Sequence, residues 1–242
     1  MRRSRLAFRP PWWGTLLYLA GCALFLGLGA WQLGRMQEKR ALLAAFAARG
    51  AEAARRGPVS DADARRLRFA RLRVHGRYDS EHQVLLDSIV RDGRPGYYVL
   101  TPLRHGDEAV LVNRGWLPAS ADRSAGLPPV AVGDGPRDVT GRIERLPAPG
   151  LRLAAAPPDP AAAWPRRLLY PTAAELAAQI GYPVHDYQLL LDPAAPDGFL
   201  RDWQPAVGFG PMRHLAYAVQ WFGFALAATV IYLLLNLKRH KT

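Results

Sequence analysis

The stretch His214-Leu215-Ala216-Tyr217-Ala218-Val219-Gln220-Trp221-Phe222-Gly223-Phe224-Ala225 decides the fold, and it runs on without a charged residue to Leu237. About 23 uncharged residues rising 1.5 Å each cover about 34 Å, enough to cross the hydrocarbon core of a bilayer. The segment reads as a membrane-spanning helix with a histidine at its mouth. A second uncharged run, Pro10 to Gly34, has Arg2, Arg3, Arg5 and Arg9 before it and Arg35 after it. The expected organisation is a tail over 1–11, a span over 12–34, an extramembrane domain over 35–213, a second span over 214–237 and a tail over 238–242.

The chain has 242 residues and a formal net charge of +12. Removing the spans and tails leaves about 180 residues, the size of one ordinary domain. Both tails are basic, with Lys238, Arg239 and Lys241 at the far end. That pattern points to anionic membrane lipids rather than nucleic acid as the partner of the charge, and it puts the tails in the cytoplasm and the domain outside it. Arg35, Lys39 and Arg40 run against this orientation, but long domains translocate largely regardless of charge. The arginines scattered among apolar residues in the middle read as a solvated face. A cleaved signal peptide is the rival reading of the first run. Its small-residue exit, Leu28-Gly29-Ala30, makes a poor cleavage site and the run is longer than usual, so the span is expected to stay. Cys22 is the single cysteine, which excludes a disulfide framework and a cysteine-based metal site.

Trp12 and Trp13 open the first span, where amphipathic rings suit the head-group boundary. Gly21, Gly27 and Gly29 offer small surfaces for close helix approach. Met36 to Arg56 is rich in Ala, Glu, Lys and Arg, and predicts a helix continuing at least to Gly50. Then strands take over. Leu72 and Val74 alternate with Arg71, Arg73 and His75; Gln83 to Val90 is closed by an Asp92-Gly93 turn; Tyr97 to Leu103 leads through Gly106-Asp107 into Glu108 to Trp116. Pro102 predicts an edge or a bulge. Ala119 to Pro136 reads as a loop, Val139 to Leu146 as a strand, and 147–165, rich in Pro and Ala, as an exposed excursion. Thr172-Ala173-Ala174-Glu175 fits a capping box for a short helix ending at Gly181. Tyr187 to Leu191 reads as a strand buried on both faces. The expected fold class is an α+β membrane protein: two transmembrane helices flanking one mainly antiparallel, barrel-like β domain with a short helix.

No catalytic motif is present: no Gly-x-Ser-x-Gly, no His-Glu-x-x-His and no phosphate-cradling glycine loop. The chain is therefore expected not to be an enzyme. Asp61 and Asp63 read as a solvated turn, and His75, His82, His105, His185 and His240 as single surface or packing residues. His214 differs by position. At helical spacing it shares a face with Tyr217, Ala218, Trp221, Phe222 and Ala225, with Trp221 about 10 Å deeper. Gln220 lies at membrane depth, where an amide without a partner is costly. If the spans pack antiparallel, His214, Tyr217, Gln220 and Trp221 face Trp31 and Gln32. The plain reading is an interfacial anchor. The sharper one is a pocket between the helices for a flat, apolar ligand with an anionic edge: imidazole ligates haem iron, indoles flank a macrocycle, and Arg35 or Arg213 meets carboxylates.

Three motifs resemble the surfeit locus protein 1 family of cytochrome c oxidase assembly factors. They are Leu28-Gly29-Ala30-Trp31-Gln32 with Arg35 and Lys39; Gly76-Arg77-Tyr78-Asp79 leading to Gly96-Tyr97-Tyr98-Val99-Leu100-Thr101-Pro102-Leu103 and Val110-Leu111-Val112-Asn113-Arg114-Gly115-Trp116-Leu117-Pro118; and His214 to Phe222. The resemblance implies a multi-pass protein of the bacterial inner membrane with its domain in the periplasm. It implies help with insertion of haem a into oxidase subunit I, with subunit I and haem a synthase as partners. It carries the haem-iron role to His214 and the aromatic flank to Tyr217 and Trp221. Arg213 departs from the family's usual Asn, and 147–165 matches no family motif. The alternative function is a scaffold that steadies a subunit I intermediate without binding haem. Asn113-Arg114-Gly115-Trp116 reads as a packed strand end, with a docking surface as the alternative.

Overall fold

The computed structural model describes residues 5–120, 126–148 and 163–240, which fall into two units: Met1–Ala44 with Pro205–Thr242, and Ala45–Gln204. In chain order the elements are β1 (Arg5–Phe8), α1 (Trp12–Ala51), β2 (Arg55–Arg56), α2 (Asp61–Arg66), β3 (Arg71–Tyr78), β4 (Val84–Arg91), β5 (Arg94–His105), β6 (Glu108–Pro118), β7 (Pro136–Glu144), β8 (Arg166–Leu168), α3 (Ala173–Ile180), β9 (Val184–Leu191), α4 (Pro211–Asn236) and β10 (Leu237–His240).

The first unit is an antiparallel helix pair. α4 starts at Gly210, with Pro211 supplying the fixed φ that suits a first turn. α1 continues beyond the apolar run, as its Ala, Glu, Lys and Arg content predicts. Both helices are long and apolar enough to cross a membrane, and only 17% and 11% of their apolar windows are buried by the protein itself. Their apolar surface therefore needs another cover, which sets them apart from core helices. The pair is held near its termini by the Thr15 and Tyr232 hydroxyls, 2.7 Å apart, and by stacked Tyr18 and Tyr232 rings with centroids 4.2 Å apart. Tyr18 and Thr229 share a further hydroxyl bond of 3.1 Å. Of the three glycines expected to permit close approach, only Gly29 does so: a Cβ there would stand 2.5 Å from Phe222 Cε1, whereas Gly21 and Gly27 meet nothing within 4 Å. The apolar run ends one residue sooner as helix than the sequence predicts. Leu237 is extended and opens β10, which pairs antiparallel with β1 from Phe8↔Leu237 to Arg5↔His240.

The second unit is a mixed sheet with strand order β2-β3-β7-β9-β6-β5-β4-β8 and an extra β3–β5 pairing. That pairing turns β3, β7, β9, β6 and β5 into a ring, but it consists only of Arg77↔Arg104 and Tyr78↔Leu103. The domain is thus barrel-like rather than a clear barrel. Its pairings are mainly antiparallel, as expected, with β2–β3, β4–β8 and β6–β9 parallel. The local signals hold. Asp92 and Gly93 both have positive φ in the β4–β5 turn, and Gly106 does in the two-residue β5–β6 hairpin. Thr172 and Glu175 form the capping box of α3, which ends on left-handed Gly181. Pro102 lies where β5 has left β4 and not yet met β3, so the N–H it lacks is not needed by a ladder there. The core inside the ring is built from Leu72, Val74, Leu103, Val110, Val112, Val139, Ile143, Tyr187, Leu189 and Leu191. Five elements were not legible in the sequence: β1, β2, α2, β8 and β10. Residues Asp61 and Asp63, expected in a solvated turn, begin α2 with Ser60 as N-cap, and β8 follows the Pro-rich segment. Most of the 147–165 excursion lies outside the described residues.

Candidate functional site

In the helix pair, α4 turns His214, Ala218 and Ala225 inward, one residue per turn or two along a single stripe, and α1 answers with Gly29, Gln32 and Met36. His214 is 7% exposed and Gln32 9%. Their side chains meet, with His214 Nδ1 2.7 Å from Gln32 Oε1. The amide oxygen only accepts, so Nδ1 carries the proton and Nε2 keeps the lone pair. The Phe209 ring packs edge-on to the imidazole at 6.4 Å. A buried imidazole whose other nitrogen is held by a fixed acceptor is the arrangement that orients metal-ligating histidines.

The remaining candidates are distributed around this bond. Trp221 is half-buried and stacks on Phe25 at 5.9 Å, deeper in the pair. Tyr217 and Trp31 are 41% and 57% exposed, so their rings face outward. Gln220 is exposed and does not point into the seam. Arg213 is exposed, with its guanidinium 4.6 Å from the Phe209 ring centroid, and Arg35 pairs with Glu38 at 2.5 Å. Gly29 faces the Phe222 ring across the seam, so the two helices approach closely there. Phe209 joins the site without a sequence signal. Phe222 does share the His214 face, but nothing in the spacing pairs it with Gly29.

In the domain, the Asn113-Arg114-Gly115-Trp116 turn faces inward. Asn113 is 1% exposed, Arg114 2% and Trp116 7%. Arg114 donates from Nε to Asp197 O at 2.7 Å, from Nη1 to Gln83 Oε1 at 2.9 Å and Val130 O at 2.8 Å, and from Nη2 to Ala131 O at 3.3 Å. Burial pushes its pKa below the ordinary value, opposed by Tyr78 and Asp197, yet a guanidinium stays charged. Gly115 has φ +117, and a Cβ would stand 2.8 Å from Leu200 O. Trp116 Nε1 donates to Ile89 O at 3.1 Å. These are packing roles, and the buried Arg114 corrects the expectation that the central arginines form a solvated face. A second polar knot centres on Asp79, which accepts from the Tyr182 hydroxyl at 2.5 Å and from His82 Nδ1 at 2.7 Å. Burial pushes the Asp79 carboxyl up, but the bonds from Tyr182 and His82 outweigh it and hold it below its usual range.

A SURF1-like protein of Monosiga brevicollis is 30% identical over 145 residues, 55% of this chain and 54% of its own length. One of Rickettsia felis is 28% identical over 106 residues, covering 42% and 45%. One of Dictyostelium discoideum is 29% identical over 117 residues, covering 43% and 42%. The chain thus spans about half the length of the curated relatives it matches. The sequence model of the SURF1 family matches residues 19–226, from within the first apolar helix to within the last. The chain belongs to the SURF1 family.

Proposed function

We propose that this protein is an assembly factor for haem–copper cytochrome c oxidase, acting without turnover to help haem a enter subunit I. Haem a is its cargo, held transiently between the two spans with His214 Nε2 as an iron ligand. Subunit I and haem a synthase are its partners, as acceptor and source. The protein sits in the bacterial inner membrane, with its basic tails in the cytoplasm and its β domain in the periplasm. Family membership supports the assembly role. The observation that carries the cargo reading is the bond from His214 Nδ1 to Gln32, which leaves Nε2 as the donor at a helix boundary flanked by Trp31 and Tyr217. Arg35 and Arg213 would supply the guanidinium groups that meet the propionates.

The test is a visible spectrum of the full chain purified after co-expression with a haem a synthesis system. A Soret band is expected, weakened or shifted in His214→Ala. Gln32→Leu frees the imidazole and weakens binding by about 10-fold or more. An unchanged spectrum and haem content in His214→Ala removes His214 from the role. A colourless wild type that still captures subunit I leaves only the scaffold.

A further inference from the structure

The β domain holds a second histidine cluster that is independent of the cargo reading. His105 and Glu108 are cross-strand partners that close the two-residue β5–β6 hairpin. His185 stands on β9, the parallel neighbour of β6, one residue after the Ala109↔Val184 pair. Three adjacent strands therefore bring two imidazoles and a carboxylate to one place, with ligand atoms all within 4.8 Å of one another. Sequence reading took these histidines as unrelated, because strand order alone unites them.

The geometry has an unmet need. Both imidazoles are largely covered, with side chains 12% and 13% exposed. Among the described residues, three buried side-chain polar atoms lack a hydrogen-bond partner, and two of them are His105 Nε2 and His185 Nε2. Leaving a buried polar atom unsatisfied is costly, so a pair of them in one cluster calls for an occupant. The rings stack at 5.6 Å with planes 15° apart, and His185 leans on Tyr187 at 5.2 Å, so packing alone explains their presence but not the two bare nitrogens. His185 Nδ1 faces Asp61 Oδ1 at 3.2 Å, and Asp61 Oδ1 is itself fixed by the Asp186 N–H at 3.0 Å. That carboxylate sets the tautomer, leaving the His185 Nε2 lone pair pointing towards Glu108 Oε1, 3.5 Å away. Tetrahedral zinc with bonds of about 2.0–2.2 Å holds its donors about 3.3–3.5 Å apart, so this pair already has the required spacing. His105 Nδ1 lies 3.9 Å from the same Glu108 oxygen and has to draw closer. Glu108, 47% exposed, leaves a path from solvent.

We propose that His105, Glu108 and His185 bind a divalent transition-metal ion of the zinc class, with Asp61 orienting His185 from behind. Two imidazoles and a carboxylate are the donor set that zinc takes with a fourth position left to water. The ion ties the β5–β6 hairpin to β9, and its binding to the folded chain alone raises domain stability.

The test uses the full untagged chain in detergent, stripped with a chelator and titrated with Co(II). One equivalent should bind, with the visible d–d absorption of a four- or five-coordinate site, and Zn(II) should displace it. His105→Ala with His185→Ala should abolish the signal. Glu108→Gln, at a half-exposed hairpin position, should weaken binding at least 10-fold, and Asp61→Asn should weaken it about 10–100-fold. His75→Ala, on the exposed His75–Asp138 pair, and His214→Ala should leave the titration unchanged. Absence of saturable Co(II) binding by the wild type overturns the proposal. So does wild-type affinity in Glu108→Gln or an unchanged signal in the double histidine variant.

Discussion

Replacing Arg114 tests whether the motif around it packs the domain or meets a partner. Its guanidinium joins the main chain at 130 and 131 to the main chain at 197 and to Gln83, so one side chain pins two loop segments against β6. Hydrogen bonds from a charged donor contribute about 1.5–3 kcal/mol each, and every buried acceptor left bare costs about 1–3 kcal/mol. Arg114→Ala removes the donor to four acceptors, but Gln83 Oε1 keeps its bond from the Thr101 hydroxyl, and the acceptors at 130, 131 and 197 belong to loops that can move towards water. The expected loss is about 3–5 kcal/mol, a large share of the about 5–15 kcal/mol that a domain has in total. For a domain of this size, about 2–4 °C of melting temperature goes with each kcal/mol, so the midpoint should fall by about 10 °C or more. Arg114→Lys keeps the charge but not the fork, and should fall between the two. Thermal unfolding of the full chain in detergent, followed by the fluorescence of Trp116 and Trp203, measures both. A melting temperature within about 2 °C of wild type for Arg114→Ala, together with lost oxidase assembly, would refute the packing role and restore the docking surface.

Other outcomes follow from the helix pair and the Asp79 knot. Cys22 Sγ lies 3.9 Å from Ala225 O, so Ala225→Cys should form an intramolecular disulfide on mild oxidation, seen as a gel shift reversed by reductant. Gly29→Leu, which drives a side chain into Phe222, should suppress that cross-link and cost about 1–3 kcal/mol; a cross-link that survives it would show that the two helices do not meet at Gly29. The Asp79 carboxyl is held below its ordinary value in the folded chain, so the unfolded chain takes up the proton first as pH falls. The stability that Asp79 contributes is complete above about pH 4, the unfolded range, and is lost as pH falls through its lower folded value. Asp79→Asn should lower the melting temperature at neutral pH and flatten its decline in acid; a parallel acid decline in both proteins would remove Asp79 as the source.

What could be read from the sequence is what is locally encoded. The uncharged lengths at both ends require a helix wherever they lie in lipid, because hydrocarbon offers the backbone N–H and C=O groups no partner. Thr172 and Glu175 cap α3 through bonds three residues apart, and Gly93, Gly106 and Gly181 take positive φ for reasons contained in their own turns. The His214 face was likewise visible from helical periodicity. Its partner Gln32 was identifiable only as one of several residues in the same leaflet. Gln220 and Trp31, equally well placed along the axis, face outward, because the rotation of each helix is fixed by the fit of Gly29 against Phe222.

Sequence alone therefore determined the two apolar helices, the strand-rich domain between them and the histidine at the start of the second helix, since each depends on hydrogen bonds and periodicities a few residues long. Tertiary structure decided which strands are neighbours, that Arg114 is interior, and that His105 and His185 share a site. Those facts depend on contacts between distant segments, and in a sheet a shift of one residue in register would send each of these side chains to the opposite face.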